Sequence, residues 1–352
     1  MERLSADELE QRARNALPPA VYDFVAAGAG TERSLRSNRE AWSQQQIVPR
    51  VLQSASDVST GVQVNGTALT SPILLAPTGR QLAIHPDGEM GGARAAANFG
   101  TVYTLATSAT TDLHDVAKTG AQLWQQLYVS TDRDWTSMVM AECARVGFQR
   151  VVITVDRARE AYRPRAARHG GIGPLPSGVA VTSHRGDGST RTSEPGVWDA
   201  SLKWGDVSEL IRESSIPVAV KGVLHPADAQ MAVEAGASEV IVSNHGGRQI
   251  DGVIPTADAL SNVVAAVDGA VPVYVDGGIR SGSDVFRAVA LGAAAVLVGR
   301  PYLWAMAIAG QHGVEQLLHT MTEELREVMT LAGCSTVDDI TRDHLAPLNL
   351  IR

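Results

Sequence analysis

The stretch VPVYVDGGIRSGSDVFRAVALGAAAVLVGR, residues 271–300, decides the fold. It begins with an apolar run that ends in Asp and Gly, continues through SGSDVFRAVALG, and ends in a second apolar run, AAAVLVGR. The middle segment predicts an amphipathic helix, because Ser281 stands at its start and Gly292 at its close, where helices favour these residues. A strand, a helix and a second strand in this order form the βα unit of a parallel sheet.

Apolar runs of the same kind recur along the chain, and most of them start 20 to 35 residues apart. There are eight: PILLAPT (72–78), GTVYTLAT (100–107), QLWQQLYV (122–129), RVVITVD (150–156), IPVAVKG (216–222), ASEVIVSN (237–244), VPVYVDGG (271–278) and AAAVLVGR (293–300). Their continuous apolar character indicates strands that are covered on both faces. Eight such units predict an α/β fold of the (β/α)₈ TIM barrel type, with a doubly wound open sheet as the alternative.

The segments around these repeats carry their own signals. We expect N-terminal helices over 1–45, including PPAVYDFVAAGAG (18–30), the barrel over 72–310, and a closing helix and tail over 311–352. The gap at 157–215 is much longer than the others, and its Gly-, Ser-, Pro- and Thr-rich centre predicts a long mobile loop at the active site. Residues 1–352 are therefore expected to form a single domain.

The composition excludes several classes of function. The 30 Lys and Arg residues against 38 Asp and Glu residues give a net charge of −8, which argues against a nucleic-acid partner. The two cysteines, Cys143 and Cys334, have no neighbours at metal-ligand spacing, so we expect no metal site and no disulfide. The charged N-terminus does not resemble a signal peptide, and no apolar run reaches the ~20 residues that span a bilayer. A cytoplasmic protein with no membrane partner is expected.

Polar residues end nearly every predicted strand. In a (β/α)₈ barrel the C-terminal strand ends carry the active site, so these residues are predicted to meet at one face. The strand ends are Thr78-Gly79, Gln126-Leu127-Tyr128, Thr154-Val155-Asp156, Lys221, Ser243-Asn244-His245-Gly246-Gly247-Arg248, Asp276-Gly277-Gly278-Ile279-Arg280 and Gly299-Arg300.

Three of these strand ends predict chemistry by themselves. His245 lies in a Gly-rich loop, and an imidazole with a pKa of ~6.5 suits a general base. Lys221 ends an apolar strand, so its buried ammonium requires an anionic partner. The DGGIR and GR segments predict a phosphate site, because glycine lets backbone N–H groups reach phosphate oxygens and arginine neutralises their charge.

Four motifs, SNHGGRQID, VDGGIRSGSDVFRAVALGA, VGRP and QLYV, resemble the FMN-dependent α-hydroxy-acid oxidase and dehydrogenase family. The resemblance runs from about Leu17 to about Ile340, with the motifs in the family's order. It implies that His245 is the active-site base, that Asp156 stabilises the imidazolium, and that Tyr128 hydrogen-bonds the substrate's hydroxyl or keto oxygen.

The resemblance also implies the remaining site residues. Substrate is expected to contact Tyr22, Arg163, Arg248, Gly79 and Ser108. FMN is the expected cofactor, held by Pro77, Thr78, Gly79, Ser108, Gln126, Thr154, Lys221, Ser243, Asp276, Gly277, Gly278, Arg280, Gly299 and Arg300. Arg80 stands where the family often has a long apolar residue, and the resemblance gives it no role.

The expected activity is the oxidation of an (S)-2-hydroxy acid to the 2-keto acid, with oxygen as the acceptor. Gly79 and Ser108 imply a roomy pocket, which favours an aromatic substrate of the mandelate or 4-hydroxymandelate type. An aliphatic lactate or glycolate type, and a dehydrogenase with another acceptor, stay open as alternatives. So do a phosphate-binding barrel isomerase or lyase and an inactive flavin-binding protein, although neither explains the full residue set. By family resemblance, the chain is expected to form a homo-oligomer, a tetramer.

Overall fold

A computed structural model describes residues 3–53, 57–173, 175, 183–184, 190–191 and 198–346. Its strands are β1 Val62–Val64, β2 Thr67–Leu69, β3 Ile73–Leu75, β4 Val102–Leu105, β5 Gln122–Leu127, β6 Arg150–Thr154, β7 Ser183–His184, β8 Thr190–Arg191, β9 Val218–Val223, β10 Glu239–Val242, β11 Val273–Val275 and β12 Ala295–Val298. Its helices are α1 Ala6–Ala16, α2 Pro19–Ala26, α3 Arg33–Gln44, α4 Gly88–Phe99, α5 Leu113–Ala117, α6 Arg133–Arg145, α7 Pro164–Ala167, α8 Trp204–Glu213, α9 Pro226–Glu234, α10 Thr256–Val267, α11 Gly282–Ala290 and α12 Arg300–Ala332.

Eight strands close into a parallel barrel in the order β10-β11-β12-β3-β4-β5-β6-β9. Each of them lies within one of the eight apolar runs, except that β9 extends one residue beyond its run, to Val223. The closing pair is β12 with β3, where Leu297 pairs with Leu74. The predicted (β/α)₈ barrel is therefore confirmed, and the open sheet is excluded.

The barrel interior is filled with apolar side chains. Leu74, Trp124, Ile241 and Tyr274 belong to this core and are buried. The antiparallel hairpin of β1 and β2 adds Val64 and Leu69 to the same cluster. With its interior packed, the barrel leaves functional groups only at its ends.

The helices follow their sequence signals. Asp132 caps α6 by accepting a hydrogen bond from the Trp135 N–H at 3.0 Å, and Gly100 ends α4 with φ 80°. The expected closing helix is the second part of α12, which breaks at Ala309 and Gly310. No helix among the described residues combines the length and apolar character needed to cross a membrane.

The gap between the fourth and fifth barrel strands differs from the expectation of one long loop. It contains α7, the short β7–β8 pair and all of α8. Leu210 and Val207 of α8 are buried, so the helix forms because it has an apolar face to cover. Most of the Gly- and Ser-rich centre, 169–196, for which mobility is predicted, lies outside the described residues.

Candidate active site

A cavity lies at the C-terminal ends of the barrel strands, where the predicted residues converge. Those that line it are Pro77, Thr78, Gly79, Ser108, Gln126, Tyr128, Thr154, Arg163, Lys221, His245, Arg248, Asp276, Gly277, Gly278, Arg280, Gly299 and Arg300. Within the described chain, Tyr22, Asp156 and Ser243 lie outside this lining. Asp156 and Ser243 nevertheless contact residues that line the cavity, Asp156 through His245 and Ser243 through Lys221.

His245 and Asp156 form a hydrogen-bonded pair from neighbouring regions of the barrel rim. His245 follows β10, Asp156 follows β6, and His245 Nδ1 lies 2.9 Å from Asp156 Oδ1. When Nδ1–H donates to the carboxylate, Nε2 is left as the basic nitrogen. The His245 backbone has φ 58°, a conformation that non-glycine residues rarely adopt, and its N–H donates to Ser243 Oγ at 3.0 Å.

The surroundings of this pair favour a neutral imidazole beside an ionised carboxylate. Burial has the largest effect on the pKa of His245 and lowers it. Asp156 raises this pKa, whereas the charges of Lys221 and Arg248 lower it. The pKa of His245 therefore lies below its ordinary value. Burial raises the pKa of Asp156, but protonated His245, the hydrogen bond from His245 and the charge of Lys221 outweigh burial, so the pKa is lowered. At neutral pH the pair is therefore in the form that a general base requires.

Tyr128 lies next to the base. Its hydroxyl is 3.3 Å from His245 Nε2, and burial raises its pKa, so it stays a hydrogen-bond donor at neutral pH. The Arg157 guanidinium lies 4.4 Å from the centre of the Tyr128 ring, and the Trp198 ring lies 5.1 Å from it. These contacts hold the ring in place.

Arg248 and Arg163 bring two cations to the same side of the cavity. Arg248 Nη1 donates to the carbonyls of Phe24, Val25 and Ala27 at 3.0, 3.1 and 2.8 Å. Burial, with Arg163 and Arg300 nearby, holds the pKa of Arg248 well below its ordinary value. Arg163 forms an ion pair with Glu160. A bound anion would relieve the mutual repulsion of these cations.

The expectation that Tyr22 reaches the substrate is wrong. The Tyr22 hydroxyl donates to Glu10 Oε1 at 3.2 Å, and its ring packs against Trp304 with centroids 5.4 Å apart. Phe24 lines the cavity instead. Residues two apart on a helix point about 200° away from each other, so Tyr22 and Phe24 of α2 face opposite sides.

Lys221 finds an anionic partner within the chain. Its Nζ lies 2.8 Å from Asp276 Oδ2 and donates to Ser243 Oγ at 2.6 Å. Burial lowers the pKa of Lys221, but Asp276 and Asp156 outweigh it and the pKa is raised, so the ammonium keeps its charge. Ser243, expected to touch the cofactor, does not line the cavity; its hydroxyl accepts hydrogen bonds from Lys221 Nζ and from the backbone N–H of His245.

The predicted phosphate end lies around Gly278 and the start of α12. A Cβ at Gly278, which has φ 90°, would overlap the Asn38 backbone, so the turn requires glycine. Burial lowers the pKa of Arg280 to about 10, with Arg39 adding to the effect. Burial and Arg280 lower the pKa of Arg300 to about 9. Arg280, a desolvated cation, and the N-terminus of α12 together suit an anion site.

The Arg300 side chain departs from its expected role. Its guanidinium donates to the carbonyls of Val25, Gly246 and Ala27 at 3.0, 2.9 and 3.0 Å. It therefore secures the end of α2, whose terminal carbonyls attract a cation. Its backbone N–H, at the first turn of α12, is the part that can serve a phosphate.

Three buried polar atoms of the cavity fit a flavin and its ribityl chain. Gln126 Nε2, Thr154 Oγ1 and Asp276 Oδ1 have no hydrogen-bond partner within the described residues. Each of these residues lines the cavity. Buried polar atoms are nearly always paired, so this set indicates a polar ligand with its own donors and acceptors. FMN supplies them, together with a phosphate for the anion site.

We call Gly79, Arg80 and Ser108 the glycine wall, and Tyr128, Asp156, His245 and Arg248 the histidine wall. In the glycine wall, a Cβ at residue 79 would overlap the Ser108 side chain and backbone. The Arg80 N–H donates to the Ser108 carbonyl at 3.0 Å. The absence of a side chain at residue 79 therefore lets these two segments touch.

Several lining residues escaped the sequence prediction. They include Phe24, Arg157 and Glu160. Arg157 directly follows Asp156, so the strand-end rule could have found it. Phe24 could have been found by noting that Tyr22 and Phe24 lie on opposite faces of the same helix, so that only one of them can face the cavity. Glu160 carries no such signal, because it lies in an irregular segment.

Comparisons with known proteins agree with this site. Residues 13–347 match the family described as FMN-dependent dehydrogenase. The chain is 40% identical over 346 residues to 4-hydroxymandelate oxidase of Amycolatopsis orientalis, covering 96% of each protein. It is 40% identical over 349 residues to glycolate oxidase 1 of Oryza sativa subsp. indica, covering 96% of this chain and 94% of that one. A crystal structure of mandelate oxidase with benzoyl-formic acid superposes with a TM-score of 0.90 at 40% identity, covering 98% of each chain.

Proposed function

Since the chain belongs to the FMN-dependent dehydrogenase family, we propose that it oxidises an aromatic (S)-2-hydroxy acid to the 2-keto acid and passes the electrons to oxygen. One observation carries this proposal. His245, with its nitrogens between Asp156 and Tyr128, shares a cavity with Arg248. A base, a hydroxyl donor and a carboxylate-binding cation are the groups that this reaction needs.

The residues around the three unsatisfied atoms would hold FMN. Gln126 and Thr154 suit the polar edge of the flavin ring, and Asp276 suits the ribityl hydroxyls. Lys221 would lie at the edge that becomes negative on reduction, while Arg280, Gly278 and the start of α12 suit the phosphate. When bound, FMN supplies a two-electron acceptor for the substrate and a donor to oxygen.

His245 Nε2 would remove a proton from the substrate, either from C2 or from the hydroxyl. The imidazolium that forms is stabilised by the Asp156 carboxylate, 2.9 Å from Nδ1. Such positioned general-base catalysis contributes ~10²–10⁴-fold. The hydrogen bond between Nδ1 and Asp156 fixes the orientation of the ring.

Arg248 and Arg163 would orient the substrate by its carboxylate. A guanidinium presents two parallel donors to a carboxylate, which fixes direction as well as affinity. Tyr128 would donate to the substrate's hydroxyl or keto oxygen, close to the base. The substrate's C2 would then lie within reach of His245.

The glycine wall supports an aromatic substrate. Ser108 lines the cavity with a small side chain, which leaves more room for a ring on C2 than a large residue would. Similarity to 4-hydroxymandelate oxidase and mandelate oxidase supports the same choice. The aliphatic alternative rests on the equal identity to glycolate oxidase. The second alternative is an electron acceptor other than oxygen, because the residues around His245 are compatible with both kinds of acceptor.

Two measurements test the proposal. Heating the purified protein should release FMN, identified by chromatography against FAD, and adding (S)-mandelate should start oxygen uptake. Glycolate and lactate should support much slower uptake. FAD in the supernatant would contradict the cofactor assignment, whereas flavin reduction without oxygen uptake would favour another acceptor.

We also propose that the chain forms a homotetramer, which family resemblance alone supports. Light scattering behind a sizing column should then give four times the 37.2 kDa chain mass. A mass equal to one chain would contradict the oligomer.

A further inference from the structure

Glu89, in the first turn of α4, carries a fully buried carboxyl group to which the proposed reaction assigns no task. Its Oε1 accepts hydrogen bonds from the Gln81 N–H at 3.1 Å, the Thr110 N–H at 2.8 Å and the Thr110 hydroxyl at 2.9 Å. Its Oε2 accepts from the Thr111 hydroxyl at 2.9 Å. A buried carboxyl group is costly unless its oxygens are hydrogen-bonded, so a residue that only filled this space would be apolar.

The donors belong to two different loops at the barrel mouth. Gln81 follows β3, whereas Thr110 and Thr111 follow β4. Thr110 lies two residues beyond Ser108, which lines the cavity. Glu89 therefore joins the loops after two neighbouring strands to one point on a helix.

The same contacts continue to the residues that line the cavity. The Gln81 side chain donates to the Thr78 carbonyl at 2.8 Å, and the Arg80 N–H donates to the Ser108 carbonyl at 3.0 Å. Gly79 lies so close to Ser108 that a Cβ at residue 79 would overlap its side chain and backbone. Such close contact needs a defined spacing between the two loops, and a shift of either loop would move Ser108 at the cavity surface.

We propose that Glu89 is a positioning residue for substrate selection, because it fixes the place of Ser108 in the cavity. The inference rests on the proposed function, in which Ser108 leaves room for a ring on C2. An aromatic substrate needs a wall of fixed shape, and a displacement of about 1 Å is enough to weaken its binding and orientation. Glycolate carries only hydrogen in place of the ring, so its oxidation should not depend on Glu89.

The test compares mandelate with glycolate in the wild-type holoenzyme and in Glu89→Ala. The ratio of kcat/KM for mandelate over kcat/KM for glycolate should fall about tenfold in the variant, mainly through a higher KM for mandelate. The kcat for glycolate and the bound FMN should stay within about twofold of the wild type. Glu89→Gln should keep the ratio, because its amide oxygen can accept from the two backbone N–H groups while threonine hydroxyls accept from its NH2 group.

Thr110→Val is a second variant of nearly unchanged shape, and it carries the test if Glu89→Ala does not fold. The loss of one hydroxyl should lower the ratio about threefold. Thr101→Val is the matched control, because Thr101 is also buried and precedes β4, at the opposite end of the strand from Thr110. Its hydroxyl donates to the Ile73 carbonyl. Removal of this hydrogen bond should leave the ratio at the wild-type value.

Three results would overturn the proposal. The first is an unchanged or higher ratio in Glu89→Ala, or in Thr110→Val if Glu89→Ala does not fold. The second is an equal loss with both substrates, or an equal fall of the ratio in Thr101→Val, because the effect would then be one of general stability. The third is a fall in Glu89→Gln as large as that in Glu89→Ala, since hydrogen bonding would then not be what fixes the wall.

Failure of the proposed function gives a different result, in which neither hydroxy acid reduces the flavin of the wild type. The comparison is then made with dissociation constants of the corresponding keto acids, benzoylformate and glyoxylate, from changes in flavin absorbance. Weaker binding of benzoylformate in Glu89→Ala, with unchanged binding of glyoxylate, would still support the role of Glu89. Equal changes, or none, would contradict it.

Discussion

The two walls of the cavity differ in what determines their geometry. In the histidine wall, His245 is fixed by Asp156 at 2.9 Å, and Arg248 is fixed by three backbone carbonyls. In the glycine wall, the shape depends on the side chain missing at residue 79 and on the small Ser108. The first wall carries the groups of the reaction. The second presents the small Ser108 to the cavity, which suits a role in selecting the substrate.

If this division is right, substitutions in the histidine wall lower the rate with every substrate, and substitutions in the glycine wall change the order of substrates. The largest loss is expected from His245→Asn. Removing the base should slow flavin reduction by ~10²–10⁴-fold or more. Rapid mixing without oxygen measures this rate, and a normal flavin spectrum of the variant confirms that FMN stays bound. Near-normal reduction would show that the chemistry lies elsewhere.

Asp156→Asn should produce the next largest loss, about 10²-fold in kcat, because the imidazolium loses its stabilising charge. The pH profile gives a sharper criterion. Asp156 raises the pKa of His245, so its removal lowers that pKa further. Activity requires neutral His245 and is lost as pH falls through its pKa; in the variant this acid limb should move to lower pH. An acid limb that moves upward would contradict the pairing.

Arg248→Lys is expected to act mainly on binding. An ammonium cannot reproduce the two-donor fork, so KM should rise by about 10- to 100-fold with a smaller change in kcat. Steady-state kinetics with mandelate and glycolate should show similar losses, since both carry the carboxylate. A loss confined to one substrate would place Arg248 among the selecting residues instead.

Ser108→Trp tests the glycine wall. An indole in this space should exclude a ring on C2, whose burial contributes about 1.5–3 kcal/mol. The ratio of kcat/KM for mandelate over glycolate should fall by about 10- to 100-fold. Glycolate oxidation by the variant serves as the control for folding and FMN binding. An unchanged ratio would mean that Ser108 does not shape the pocket.

Tyr22→Phe should have the smallest effect. Its hydroxyl bonds Glu10 at 3.2 Å rather than facing the cavity, so KM for mandelate should change less than about twofold. The free energy of unfolding should fall by about 0.5–1.5 kcal/mol for the lost hydrogen bond. Denaturant unfolding measures the change in the free energy of unfolding. A tenfold rise in KM would show that Tyr22 contacts the substrate after all.

The sequence allowed the barrel and most of the histidine wall to be predicted, because strands with two buried faces are visible as apolar runs and polar residues mark their ends. Tyr22 was misjudged because a motif does not say which helix face meets the cavity. The partners of Lys221 and Arg300 could not be read from sequence, since Asp276 and the carbonyls at the end of α2 approach them only in the folded chain. The Gly79–Ser108 contact likewise joins two segments distant in sequence.

Anaerobic mixing of the purified yellow protein with (S)-mandelate tests the central claim most directly. The account predicts that the flavin absorbance bleaches and that one equivalent of benzoylformate forms per FMN. The same mixing with His245→Asn should leave the absorbance unchanged on that timescale. A wild-type protein whose flavin is not reduced by mandelate or by any other 2-hydroxy acid would contradict the assignment of this cavity to hydroxy-acid oxidation.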